Sequence, residues 1–376
     1  MRTLLVILSL LTIVVLFLPL ACERQSQTIT LGYIGVMSGR SSGLGIDGRD
    51  GFLLALHEAN RERGIDGREL KALVLDSGKE AVRPEQLMTQ LTAGKAVAAV
   101  GPMRSQVASS LIPLASKASM VLVSPTVSSD AFSGQDDFFF RNYFSNRQSA
   151  EGMAQLVSQR GLQRIAVLYN IDNRAYTEDY LASFRSALEK LGGTIVDAVP
   201  FSSLETPNYS QLAEPIFAHR PAGLLLLANA VDSAMFCQQL SKREKSIPVF
   251  TTPWSFTDDL VAFGGKAVEG VTLLLTIDPH SSNPAYVDFR NAFMEQYGRE
   301  PRFSAIHAYD ATRLLIAGLR RSRQEGLSLK ESLLQLETFP GVQHSIRFDA
   351  YGDLDTPRLY PVQVEKGDFR VIDSGS

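Results

Sequence analysis

Short β-rich apolar runs alternate with helix-length segments along most of this chain, and that alternation restricts its fold more than any other feature. The first set of runs covers residues 29–36, 70–76, 96–101 and 121–125. Runs so continuously apolar suit strands buried on both faces, as in a parallel sheet covered by helices. The first intervening helix is predicted over 47–63, where Phe52, Leu56 and Ala59 share a face and Gly64 follows as a stop. The pattern then repeats. Strands are predicted at 164–169, 194–201, 223–228, 247–252 and 270–276, with helices near 176–191, 209–219 and 232–243 between them. Two doubly wound α/β sheets in succession are therefore expected, and a length of 376 residues exceeds what one ordinary core holds.

Between the two sets lies Phe138-Phe139-Phe140-Arg141-Asn142-Tyr143-Phe144, which has strand propensity but no turn residue. It is predicted to cross between lobes, with its aromatics packed at the hinge. Two late helices are expected near 284–297 and 303–320, the second ending in a solvated, dipole-complementing cluster of Arg320, Arg321 and Arg323. The tail, 345–372, reads as hairpin-like, turning at Tyr351-Gly352-Asp353 and Lys366-Gly367-Asp368.

At the other end, Arg2 precedes an uncharged run from Thr3 to Ala21 whose core, 4–18, has the length of a signal-peptide apolar region. Export is predicted. The run ends in Leu18-Pro19-Leu20-Ala21-Cys22, which resembles a bacterial lipobox, in which the cysteine is lipidated after cleavage and holds the protein to a membrane. Pro19 stands where a lipobox prefers leucine; an uncleaved anchor is the alternative reading of residues 1–22. Cys237 is the only other cysteine, so a lipidated Cys22 leaves no intrachain disulfide. Cys237 itself falls in an apolar helical stretch and is predicted to be core.

Composition excludes several functions. A net charge of −3 gives no basic face for nucleic acid. No two histidines stand three to five residues apart and the acidic residues form no calcium-loop pattern, so no metal is expected. Without G-x-G-x-x-G or a phosphate-loop lysine, no nucleotide cofactor is expected either. Gly39-Arg40-Ser41-Ser42-Gly43 matches the G-x-S-x-G nucleophile elbow, but it follows the first strand rather than a central one, and no histidine is singled out as its base.

Ligands of open parallel sheets bind at the carboxyl ends of the strands. That rule selects 38–45, 102–105 and 125–129 in the first lobe and 170–176, 229–233 and 253–257 in the second. The first-lobe loops are rich in Ser, Thr and Gly, which suits an anionic group such as a carboxylate. Ser105 and Ser128 are the leading candidates, each also readable as a helix N-cap. Arg40 and Arg104 flank these loops; they would add charge for a dianionic ligand but are predicted to be solvated.

Several stretches, in this order and spacing, carry a family resemblance. They are Leu31-Gly32-Tyr33-Ile34-Gly35-Val36-Met37-Ser38-Gly39, Gly64-Ile65-Asp66-Gly67, Val100-Gly101-Pro102, Val123-Ser124-Pro125, Gly270-Val271-Thr272, Ala308-Tyr309-Asp310-Ala311 and Phe348-Asp349-Ala350-Tyr351-Gly352-Asp353-Leu354. Together they resemble the leucine/isoleucine/valine-binding type of periplasmic solute-binding protein. The resemblance implies the type I periplasmic-binding-protein fold, with two lobes joined by a three-crossover hinge: 28–143 plus 278–340, and 144–277 plus 341–376. It also implies hinge closure on a small molecule, delivery to ABC permease subunits, and a monomer.

By that resemblance the ligand's carboxylate is held by Ser105, the backbone N–H of Thr126 and Ser128, and Tyr176 faces the ligand from the second lobe. The chain departs from the family at three contact positions. Trp254 stands where amino-acid binders place a glutamate for the ligand's ammonium, a position often held by tyrosine falls near Asn229 or Ala230, and Leu44 replaces a first-loop aromatic. Asp258 or Asp259 would either reach in or cap the following helix. The expected ligand is thus a carboxylate-bearing small molecule stacked on Trp254. The competing functions are a ligand-sensing or envelope-assembly lipoprotein of the same fold and, remotely, a serine hydrolase.

Overall fold

The structure, a computed structural model, describes residues 28–78, 83–243, 247–355 and 358–372; the segment with Cys22 lies outside them. The first sheet contains β1 (Ile29–Gly35), β2 (Leu70–Asp76), β3 (Ala96–Val100), β4 (Val121–Ser124) and β5 (Phe139–Arg141). Its order is β2-β1-β3-β4-β5, all parallel. Helices α1 (Ser42–Arg61), α2 (Pro84–Ala93) and α3 (Ser105–Lys117) make its crossovers.

The second sheet follows α4 (Asn146–Gln159). It holds β6 (Arg164–Asn170), β7 (Thr194–Phe201), β8 (Gly223–Leu227), β9 (Val249–Thr251) and β10 (Thr272–Leu275), with α5 (Arg174–Lys190), α6 (Tyr209–Ala218), α7 (Ala230–Leu240) and α8 (Asp258–Gly264) between them. The chain then returns to the first lobe, where α9 (Pro284–Tyr297) and α10 (Phe303–Glu325) pack on α1 and α11 (Leu329–Leu334) packs on α10. After the small antiparallel pair β11 (Phe339–Pro340) and β12 (Ser345–Ile346), β13 (Tyr360–Glu365) and β14 (Asp368–Val371) complete the second sheet in the order β14-β13-β10-β9-β8-β6-β7. Two parallel-sheet lobes joined by three crossings are thus present.

The apolar runs are buried as their composition demands. All five residues of β8 are buried, and its four leucines contribute roughly 1.5–3 kcal/mol each. Cys237 is buried, and burial pushes its thiol up to about 12.

Two expectations need correction. Helix α1 starts at Ser42 rather than 47, because Gly43, Gly45 and Gly48 weaken the sequence signal while the packing requires one of them. A Cβ on Gly45 would lie 2.0 Å from the Val36 carbonyl oxygen, at the end of β1. The segment 138–144, expected as a crossing, contains β5, paired to β4, so the crossing itself is only the few residues after Arg141. The arginine cluster does end α10 and stays partly solvated, with added partners: Arg320 donates to the Gly64 carbonyl, Arg321 to the Gln335 carbonyl and Glu325, and Arg323 pairs with Asp66. The tail turns at both predicted places, with Phe348 bridging Leu354 antiparallel across Tyr351-Gly352-Asp353 and Lys366-Gly367 joining β13 to β14, while β12 pairs back to β11.

Candidate ligand cleft

Strand order locates the cleft before any side chain is considered. In the first sheet the winding reverses between β1 and β3, and in the second between β6 and β8. The loops at the carboxyl ends of those strands diverge there, and in this fold they face each other across the interlobe space.

A small inner chamber lies there. The first lobe contributes Leu44, Met103, Ser105, Thr126 and Ser128; the other side contributes Asn146, Ser149, Asn173, Tyr176, Tyr180, Pro253 and Trp254; Tyr143, Phe144 and Phe303 complete the wall. Six of the seven residues singled out above therefore meet in one cavity. No charged residue is among its lining residues. A carboxylate here would be neutralised not by a side-chain cation but by hydroxyls and the positive end of α3.

The seventh residue, Asn229, is not there. Its side-chain oxygen accepts the Asp232 N–H (3.0 Å) and its amide donates to the Asp232 carboxylate (2.5 Å), so it caps α7 and faces the outer cleft. Asn229→Ala is expected to cost about 1 kcal/mol of stability, measured by urea unfolding, and to leave ligand affinity unchanged. Weaker binding without lost stability would return it to the site.

The two serines are not helix caps. Position N-cap of α3 belongs to Arg104, with Ser105 the first helical residue, and Ser129 rather than Ser128 caps the short turn 130–132. Among the described residues neither the Ser105 nor the Ser128 hydroxyl has a hydrogen-bond partner, although both residues are about 2% exposed. Neighbouring Ser124, by contrast, donates to the Pro102 carbonyl (2.7 Å) and accepts the Val127 N–H (3.0 Å). The Thr126 hydroxyl donates to the Met103 carbonyl (2.7 Å), while its backbone N–H makes only a long 3.4 Å contact with Ser124 Oγ.

On the facing wall the Trp254 ring meets Tyr176 edge-on, centroids 5.7 Å apart, and the indole N–H is buried without a partner. Burial pushes the Tyr176 phenol well above its usual range, so it stays neutral. Asp258 and Asp259 neither reach in nor occupy the N-cap position of α8; they lie in its first turn, where Asp258 pairs with Arg302 at 2.5 Å. Arg40 stays partly solvated, its side chain 36% exposed, but bonds Asp232 (3.3 Å) and Tyr209 (3.2 Å) across the cleft, whereas Arg104 is turned inward. With the Gln106 N–H donating to Asn173 (3.1 Å), these bonds hold the lobes closed.

Sequence reasoning missed Asn146. Its amide donates to the Tyr176 carbonyl (3.0 Å) and to Asp179 (2.8 Å), leaving its buried side-chain oxygen unpartnered beside the chamber. Tyr143 and Phe144 were expected as hinge packing and are indeed buried, but they also form chamber wall. Ser41 lies in the outer cleft, and no histidine lines either chamber.

Behind Tyr143 and Phe303, His307 is half-buried and accepts or donates at Thr276 (2.8 Å). Burial, with His344 nearby, pushes its imidazole down to about 3. The folded state thus binds fewer protons than the unfolded chain between about pH 6.5 and pH 3, and loses about 1.4 kcal/mol per unit as pH falls through that window. Asp310 and Asp47, raised by burial to about 6 and about 7, act in the opposite sense. The His307→Gln variant cancels those contributions: its stability relative to the parent should improve steadily below pH 6.5, and parallel stability curves would refute the assignment.

A family model described as periplasmic binding protein matches residues 28–368. The chain belongs to this family. Its relatives include Glutamate receptor 3.7 of Arabidopsis thaliana, 23% identical over 372 residues, and the chemotactic signal transduction system substrate-binding protein BasB of Halobacterium salinarum, 24% identical over 352 residues. The matched region is 95% of this chain but only 39% of the receptor, against 87% of this chain and 78% of BasB. Among solved structures, the leucine-binding protein LivK of Thermotoga maritima superposes with a TM-score of 0.83 at 21% identity, covering 92% of this chain and 98% of LivK. A solute-binding protein of an ABC transporter from R. palustris, solved with benzoate, gives 0.82 at 18% identity, covering 92% and 95%. Both share this periplasmic binding protein's fold.

Proposed function

We propose that this protein is the extracytoplasmic solute-binding component of an ABC importer, tethered through lipid on Cys22, and that its lobes close on a small carboxylate-bearing molecule. One observation carries the reading: two nearly buried hydroxyls, Ser105 at the start of α3 and Ser128 in the loop after β4, are left without protein partners in an uncharged chamber that Trp254 also lines. Hydroxyls in such a place supply charge-assisted hydrogen bonds to an oxyanion. The absence of any acidic lining residue gives an ammonium group no counter-charge, which favours aromatic or apolar organic acids over amino acids.

Trp254 is the only tryptophan, so its fluorescence reports ligand entry directly. In a titration with benzoate, hexanoate and leucine, benzoate should give the largest quench and the largest rise in melting temperature. Tighter binding of leucine than of benzoate would overturn the ligand class. BasB supports a second reading, in which the closed lobes dock on a sensory rather than a transport partner. Capture of permease subunits from the native membrane by the ligand-loaded protein separates the two.

A further inference from the structure

Beyond Trp254 a second, wider chamber opens, bounded by Ser38, Ser77 and Arg104 on one side and by Asn170, Asp172 and Ser203 on the other. Trp254 lines both chambers, and consecutive residues of the first lobe serve them separately: Ser105 the inner, Arg104 the outer. Three polar groups of the outer chamber are buried without a hydrogen-bond partner, namely Arg104 Nε, Ser38 Oγ and Ser77 Oγ. Arg104 is otherwise held by one bond, from a terminal nitrogen to the Ser77 carbonyl at 3.3 Å. Burial lowers its basicity from the usual value, with Asp172 and Asp76 opposing, yet a guanidinium does not shed its proton in a protein.

The nearby acids are committed elsewhere. Asp172 accepts from Ser202 (2.7 Å), the Ser203 N–H (2.7 Å) and Asn170 (3.2 Å). Asp232 takes Arg40, Tyr209, Asn229 and Ser203. Asp76 accepts the Met37 and Gly78 N–H groups, at 2.9 and 2.8 Å. Arg104 therefore has no direct ion pair among the described residues, and its unpartnered Nε–H, in the same chamber as two free hydroxyls, calls for an acceptor from outside the chain.

We propose that the ligand is two-headed: one carboxylate at Ser105 and Ser128, an apolar body over Trp254, and a second oxyanionic group bonded to Arg104 Nε, Ser38 and Ser77. This rests on the inner-chamber reading given above. The class of ligand it assigns is a dicarboxylate with an apolar or aromatic spacer.

Calorimetric titration with matched probes, benzoate against benzene-1,4-dicarboxylate and hexanoate against adipate, tests it. At least one dicarboxylate should bind at least about tenfold more tightly than its monoacid, the effect of one charge-assisted bond set. Arg104→Met should erase that preference without changing monoacid affinity. Should Arg104→Met fold poorly, Ser38→Ala and Ser77→Ala each remove one donor and should each narrow the preference severalfold. Equal affinities within both pairs, or a preference that survives all three substitutions, overturn the second subsite; the inner-chamber reading then stands if Ser105→Ala/Ser128→Ala still weakens the monoacids. Binding of none of the four probes overturns both.

Discussion

Removing both hydroxyls, as Ser105→Ala/Ser128→Ala, should weaken benzoate binding at least about 100-fold while leaving the unliganded protein as stable as before, within about 0.5 kcal/mol. The two halves of this expectation come from the same geometry. Each hydroxyl would offer a carboxylate a charge-assisted bond contributing about 1.5–3 kcal/mol, and no lining cation is present to compensate for their loss. Neither hydroxyl bonds to the protein, so the fold loses little. Ser124→Ala is the contrasting control: it removes a bond to the Pro102 carbonyl and one from the Val127 N–H, and should cost stability instead. Isothermal titration and urea unfolding read the two quantities separately. Unchanged affinity in the double variant would remove the carboxylate site; a loss of more than about 1 kcal/mol in the unliganded protein would make the hydroxyls structural.

The largest effect on stability is expected from Asp353→Ala, about 3–5 kcal/mol. Arg141 is 1% exposed at the end of β5, and its guanidinium donates to Asp353 (2.6 Å), to the Ser129 carbonyl (2.8 Å) and to Ser133. Since arginine cannot neutralise itself by losing a proton, removal of the carboxylate leaves a buried, uncompensated charge. Asp353 also accepts the Gly134 N–H (3.0 Å), so the tail is pinned to the first lobe beside the crossing. Arg141→Met/Asp353→Leu should recover much of the loss by replacing the pair with apolar contact. Urea unfolding that shows less than 1 kcal/mol for Asp353→Ala would mean the pair contributes little.

Local signals account for what was legible. β2 and β7 were predicted to the residue because each is an uninterrupted strand-like run bounded by turn residues, and α9 likewise, with Asn283-Pro284 at its start and Gly298 after it. The start of α1 was not legible, since its glycines answer to the backbone of β1 rather than to helix propensity. Within the cleft, Ser105, Thr126, Ser128, Tyr176, Trp254 and Leu44 were locatable because strand ends locate loops. Asn146 was missed because it opens a helix with no preceding strand-end signal, and it reaches the chamber only through the crossing after β5.

The sequence by itself determined the two wound sheets and the loops that face the cleft, because strand and helix periodicity and turn chemistry act over a few residues. Tertiary structure alone decided the fate of the polar side chains in and around those loops. Asp353 lies 212 residues from Arg141, and Asp232 lies 192 residues from Arg40. Whether an arginine is solvated, paired or left with an open N–H depends on which distant carboxylate the closed lobes bring to it, and no local pattern records that. The same holds for the split between neighbours: only the packed lobes turn Ser105 toward the inner chamber and Arg104 toward the outer one.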